Sequence, residues 1–331
     1  DIVSPNNHCN MAQSTNDAFP TAIKVCAILK SKPLLEALQR LVDELEKKAD
    51  EYSEILKMGR THLQDAVPIT LGQEMGAYAS GVRRGIKRIK SAVEGAHVIN
   101  MGATAVGTGL NAEPNYIHDV AYELSEVVGE PFYTAENLID ATNNTDIFAD
   151  ISSGLKVTAL VLIKMANDFR LMASGPRCGI GELKLPARQP GSSIMPGKVN
   201  PTQCEALTMV CAQVFGHNTT MTICAGSGAF QLNVYMPIMI YDFVESCRLL
   251  ADAMNSFTTH CIDGVEFVPE KLNFFVEQSL MIATSLTPYI GYDKSAKVVK
   301  EAYKRGCSIK EIILEEKLMT EDEFAEAVRM K

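Results

Sequence analysis

The stretch Ala206–Tyr241, ALTMVCAQVFGHNTTMTICAGSGAFQLNVYMPIMIY, carries no formal charge over its whole length. An apolar run of this length is either a membrane span or a helical element buried inside protein. Gln213, Asn218, Thr219, Thr220, Gly226, Ser227, Gly228, Gln231, Asn233 and Pro237 interrupt it, which is too much polarity for a lipid-facing span. It reads instead as a pair of helices buried all round inside a bundle or an oligomer. On either side, long segments repeat their apolar residues every 3.6 positions, and almost nothing alternates with period two. The periodicity predicts helices at 17–30, 34–57, 71–98, 115–129, 137–174, 202–222, 230–261, 269–284, 293–305 and 308–316. This is an all-α chain of long antiparallel rods. After about Asp263 the segments shorten (LTPYIGYD, LMTEDEF), which predicts a small helical C-terminal domain. The expected division is 1–12 as the tail of a preceding N-terminal domain, 13–263 as the long-helix bundle, and 264–331 as the C-terminal domain.

Composition agrees with that reading and excludes others. The 331 residues are 47% hydrophobic, enough for a sizeable core, and the net charge is −9. A general nucleic-acid binder needs clustered Lys and Arg and is not expected. Absence of Trp and only 7% aromatics favour helix over sandwich or barrel. Nine scattered cysteines with no CxxC pair point to reduced thiols and a cytoplasmic protein. The opening DIVSPNNHCN is not a signal or transit peptide, and without Met it suggests that a further segment precedes it.

Three inter-helical stretches look unlike simple connectors: Ser4–Asp17, Met58–Thr70 and Gly175–Thr202. In the first, Ser14-Thr15-Asn16-Asp17 fits a capping box at a helix start. The free N–H groups and positive dipole end there would also seat a carboxylate. In the second, Thr61-His62 sits between long helices; a lone His is commonly a structural hydrogen-bonder, and the other five histidines show no metal spacing. In the third, GSSIMPGKVNP (Gly191–Pro201) combines glycines that free backbone N–H groups for an anion, the cation Lys198 and the amide Asn200. Such a loop could fix a carboxylate beside the Ser192-Ser193 hydroxyls, either as a plain anion loop or beside a serine acting as base. Gly107–Ala112 satisfies G-x-G-x-x-A, but the dinucleotide fingerprint needs a βαβ unit, so a Gly-rich corner between helices is expected.

Taken together, GSSIMPGKVNP, QSTNDAFPTA, GRTHLQDA and ATAVGTGLN, in this order, resemble the aspartase/fumarase superfamily over essentially the whole chain. The resemblance implies a homotetramer with a twenty-helix core and active sites each shared by three subunits. It implies Ser192 as the base that removes a proton beside one carboxylate of a dicarboxylate substrate. Lys198 and Asn200, with Ser193 in the same loop, hold the other carboxylate. Ser14 and Thr15 hold the carboxylate next to the departing proton, while Asn16, Thr61 and His62 contact the leaving group and neighbouring oxygens. Glu205 pairs with and orients His62.

Within the family, SPNNHCNMAQSTND, AENLIDATNNTD, MANDFRLMASGPR and LPARQPGSSIMPGKVNP look like aspartases. PTQCEALTMVCAQV, FQLNVYMPIMI, RLLADAMNSF and IGYDKSAK look like class II fumarase. Giving more weight to the substrate-facing stretches, the expectation is aspartate ammonia-lyase. Class II fumarase is the alternative, and a catalytically inactive structural relative the third reading. No organic cofactor is implied; Mg2+ as an activator is, although no ligand cluster for it is visible in the sequence.

Overall fold

The structure is a computed structural model and describes residues 2–328. It is all-α apart from short two-stranded pairings, and it divides into two compact units. The first is built from the chain up to Val42, Gly81–Asn167 and Thr202–Thr258; the second from Asp43–Ser80, Asp168–Pro201 and the chain from Thr259 onward.

The long helices are α1 (Thr15–Glu51), α2 (Leu71–Glu94), α5 (Asp146–Met172), α6 (Thr202–Ala225) and α7 (Met236–Phe257). Helix α1 runs unbroken where a break at Pro33 was expected. Pro33 lies on the exposed side, where water can reach the carbonyl that loses its donor, and Leu34, Leu38, Leu41, Val42 and Leu45 are fully buried on the other. That burial, at about 1.5–3 kcal/mol per side chain, outweighs the roughly 3 kcal/mol cost of an interior proline. The expected helix 137–174 is interrupted at Asn144-Thr145, giving α4 (Leu138–Asn143) before α5. Between α2 and α4 lie β3 (Val98–Ile99), the turn 100–111, α3 (Pro114–Val128) and β4 (Tyr133–Thr134), with β3 and β4 parallel.

The charge-free stretch forms α6, a turn and α7, but it is not buried all round. On α6, Cys204, Leu207, Cys211, Val214, Met221 and Cys224 are buried, whereas Met209 and Ile223 are 66% and 64% exposed. Asn233, itself fully buried, closes the turn by donating to the Cys224 and Ala225 carbonyls and to Thr145 Oγ1. His217 Nδ1 lies 2.8 Å from Ser246 Oγ and ties α6 to α7, a structural role. Among the described residues no helix is long and apolar enough to cross a membrane. All nine thiols are free.

In the second unit, β1 (Leu56–Thr61) and β2 (Gln64–Thr70) form an antiparallel hairpin that the sequence reading missed, since residues to 57 were assigned to a helix. Here β5 (Leu183–Lys184) pairs with β6 (Glu266–Phe267). The small helices α8 (Pro269–Gln278), α9 (Ala283–Ile290), α10 (Tyr292–Arg305), α11 (Ile309–Glu315) and α12 (Glu321–Val328) follow. They enclose a core of their own around Val276, Leu286, Val298, Ile309, Ile312 and Phe324.

Candidate active site

The start of α1 is capped as its sequence predicts. Ser14 Oγ accepts from Asn16 N at 3.1 Å, and Asp17 Oδ1 accepts from Ser14 N at 2.9 Å. Asp17 does more than cap. It is fully buried, and its Oδ2 accepts from the Thr104 backbone N–H at 2.9 Å. Asn16 Nδ2 donates to Ala105 O at 2.7 Å, and Asn100 Nδ2 donates to Asn16 O at 3.1 Å. The turn 100–111 is thereby fastened against the α1 N-terminus, leaving Thr15 exposed and Ser14 half-buried. Gly107 in that turn has φ +97°, and a Cβ there would stand 2.3 Å from Ile139 Cα, so only glycine fits. The Gly-rich motif is a corner between α2 and α3: the two-residue strands β3 and β4 do pair in parallel on either side of α3, but the glycines begin at Gly107, well past the end of β3 at Ile99, and not in the tight strand-to-helix turn a dinucleotide would need.

Thr61 and His62 are at the tip of the β1–β2 hairpin. His62 (φ +55°) and Leu63 (φ +61°) are the two central residues of its turn, both exposed. Such a turn favours Asn-Gly, and placing two residues with side chains in the left-handed region costs about 1–2 kcal/mol each. Backbone strain held at an exposed tip is an observation that points toward function. The base of the hairpin is correspondingly firm. Lys57 Nζ, nearly inaccessible, donates to Glu74 Oε2 at 2.5 Å and lies 3.2 Å from Oε2 of the fully buried Glu182. Arg60 donates to Glu182 Oε1 at 2.7 Å and stacks over the Phe275 ring. Two cations thus balance two carboxylates where an unpaired charge would be prohibitive.

The loop Gly191–Asn200 closes on itself. Gly191 N donates to Lys198 O at 3.0 Å, and Asn200 Nδ2 donates to Gly191 O at 2.8 Å. A Cβ on Gly191 would stand 2.2 Å from Lys198 O, so the neck demands glycine. Inside this loop Ser192 Oγ accepts from Ile194 N at 3.2 Å and Met195 N at 3.0 Å. Two backbone donors aimed at one hydroxyl oxygen favour negative charge on it. Ser193 and Lys198 are exposed. Glu205 sits in the first turn of α6, where the helix dipole favours a carboxylate.

Ser14, Thr15, Asn16 and Glu205 therefore belong to the first unit, and Thr61, His62, Ser192, Ser193, Lys198 and Asn200 to the second. Sequence reasoning missed Asp17 as more than a cap, and missed Asn100, Thr104 and the Lys57–Glu182 group. The signal for Asp17 was QSTNDAFPTA and for Thr104 ATAVGTGLN, both noted only as a resemblance; Asn100 stands outside both strings. Tyr116 has a buried hydroxyl without a hydrogen-bond partner; burial first, and then the Asp17 charge, raises its pKa. Among the described residues no group of three or more His, Cys, Asp or Glu is placed to hold a metal ion.

The chain matches the Lyase family over residues 1–216 and the Fumarase C C-terminus family over residues 282–331. It is 51% identical over 98% of its length to a class II fumarate hydratase of Neisseria meningitidis, covering 71% of that protein. It is 48% identical over 98% of its length to an aspartate ammonia-lyase of Bacillus sp, covering 69%. Among solved structures, a cobalt-bound fumarate lyase:delta crystallin of Brucella melitensis superposes with a TM-score of 0.95 at 40% identity, over 99% of this chain and 71% of that one. A class II fumarase of Schistosoma mansoni superposes with a TM-score of 0.92 at 38% identity, over 98% and 71%. These matches establish that the chain belongs to the aspartase/fumarase superfamily of lyases.

Proposed function

We propose that the protein is a class II fumarase, interconverting malate and fumarate with loss or gain of water. The observation that carries this reading is the predominance of fumarate hydratases among its similar relatives, the Neisseria protein at 51% identity among them. It replaces the expectation that favoured aspartase, which rested on local stretches around the substrate.

In this reading Ser192, as alkoxide, takes a proton from the carbon beside one carboxylate. The Ile194 and Met195 N–H groups and the nearby Lys198 charge support that anion. The C–H electron pair moves into the adjoining carboxylate to give a doubly charged aci-carboxylate, held by donors of Ser14 and Thr15 at the α1 N-terminus. The pair then forms the C=C bond as the hydroxyl leaves, taking up a proton to become water. Hydroxide is a poor leaving group, so it must take up a proton as it goes: His62, as imidazolium, supplies it, with Glu205 orienting the ring, while Asn16 and Thr61 hydrogen-bond the departing oxygen and its neighbours. Ser193, Lys198 and Asn200 hold the second carboxylate. No step needs an organic cofactor or a metal.

The working unit is a homotetramer with sites shared by three subunits, and the exposed uncharged side of α6 supports such burial.

Aspartate ammonia-lyase is the second reading, favoured by the Bacillus relative and by Thr15 where fumarases usually have Ser. Ammonia leaves without the acid help that hydroxide needs. Incubation with malate and with aspartate, followed by fumarate absorbance, separates them. Fumarate from malate alone, abolished by Ser192→Ala, is the expected result; fumarate from aspartate alone would reverse the assignment.

A further inference from the structure

The contacts around Asp17 form a pattern that helix capping alone does not require. A cap needs one carboxylate oxygen, and Asp17 spends Oδ1 on Ser14 N. Its Oδ2 grips the N–H of Thr104, a residue 87 positions away in sequence. Thr104 has φ +59°, and a β-branched residue in that region is an outlier costing about 1–2 kcal/mol. The strain persists only because something fixes it, and a charge-assisted hydrogen bond to a fully buried carboxylate is a strong fixing device. Two further hydrogen bonds repeat the same juncture, Asn16 Nδ2 to Ala105 O and Asn100 Nδ2 to Asn16 O. The Thr104 hydroxyl and the Asn100 Oδ1 are buried there without partners. Satisfied backbone groups beside unsatisfied side-chain groups mark a site arranged for more than stability.

We propose that Asp17 is a positioning residue that fixes the distance between the α1 N-terminus and the turn 100–111, and so preorganises Ser14 and Thr15 for the substrate carboxylate. This rests on the dicarboxylate-lyase reading of the site. Asp17 itself does not touch substrate; it acts through the two backbone N–H groups it holds. Oδ1 fixes the residue at the helix start, Oδ2 fixes the turn, and the rigid carboxylate sets the gap between them. An Asn in its place keeps one acceptor and turns an NH2 against the other N–H donor, so one arm must let go.

The test compares wild type, Asp17→Asn, Asn100→Ala and the control Thr142→Val by steady-state kinetics on malate and aspartate and by calorimetric titration with succinate. Thr142 Oγ1 accepts from Asn100 at the edge of the turn and donates to Leu138 O, with no hydrogen bond to Asp17, Asn16, Thr104 or Ala105, so its variant reports loss of a buried hydrogen bond at the same corner with both arms of Asp17 intact. All measurements are made well below each variant's melting temperature. Expected for Asp17→Asn is a rise of about tenfold or more in KM and in the succinate Kd, with a fall in kcat beside it because Ser14 and Thr15 also hold the aci-carboxylate. Asn100→Ala is expected to move the same quantities in the same direction, and Thr142→Val to leave them within twofold. A folded Asp17→Asn protein whose KM and succinate Kd stay within twofold of wild type overturns the proposal, as does equal weakening by Thr142→Val. Wild-type protein that neither turns over nor binds a dicarboxylate overturns the lyase reading, and this proposal with it.

Discussion

Ser192, Asp17 and Lys24 show three ways a residue's meaning depends on its surroundings. Ser192 was legible as a chemical group because GSSIMPGKVNP is a distinctive string, but the two N–H groups that meet its oxygen depend on how the loop curls. Asp17 was legible as a cap, and its second bond was not, because the partner lies far along the chain. Lys24 was not legible at all. It is 7% exposed, donates to Val98 O at 2.7 Å, and burial lowers its pKa from the ordinary 10.5 to about 8, with Asp146 and Asp140 opposing the shift. Between these two values the unfolded chain binds the proton that the folded protein has already released. Stability from this group therefore rises with pH across the window 8 to 10.5, by up to about 3 kcal/mol. Buried thiols work in the opposite sense, since burial pushes Cys211 up to about 12. The comparison is thus between variants: urea unfolding should show wild type gaining on Lys24→Met as pH increases from 8 to 10.5, and parallel curves would contradict the assignment.

The β1–β2 hairpin is the element whose existence the sequence concealed. Its strands carry Lys57, Arg60, Gln64 and Asp65 among few alternating apolar residues, and Pro68 sits within β2, so period-two patterning is weak. Its stability comes instead from the buried ion group at its base and from Gly59, where a Cβ would stand 2.6 Å from Val67 O. The strained tip then presents His62 at an energetic disadvantage. Replacing His62-Leu63 by Asn-Gly should relieve about 1–2 kcal/mol of strain, seen as greater resistance to denaturant, while turnover on malate falls sharply. Unchanged turnover in that variant would remove His62 from the mechanism, and unchanged stability would mean that the tip is not strained.

At the scale of the whole molecule, α6 buries one stripe and leaves Met209 and Ile223 to solvent on a face with no charge in the helix after Glu205. A long exposed helix face that carries large apolar side chains and no charge, with Ala206, Ala212, Gly216 and Thr219 among its other exposed residues, suits an assembly surface. Met209→Glu together with Ile223→Glu should convert the proposed tetramer to smaller species, read by size-exclusion chromatography with light scattering. A tetramer unaltered by both charges would place the interface elsewhere. The sequence by itself determined the helical class, the small C-terminal domain and membership of the lyase superfamily, because helix periodicity and local motifs are properties of neighbouring residues. Only the tertiary structure decided the continuity of α1 through Pro33, the hairpin beneath His62, the one-sided burial of α6 and the bond from Asp17 to Thr104. Each of these is settled by packing or by a hydrogen bond between residues distant in sequence, whose energies exceed the local preferences that a sequence reading can weigh.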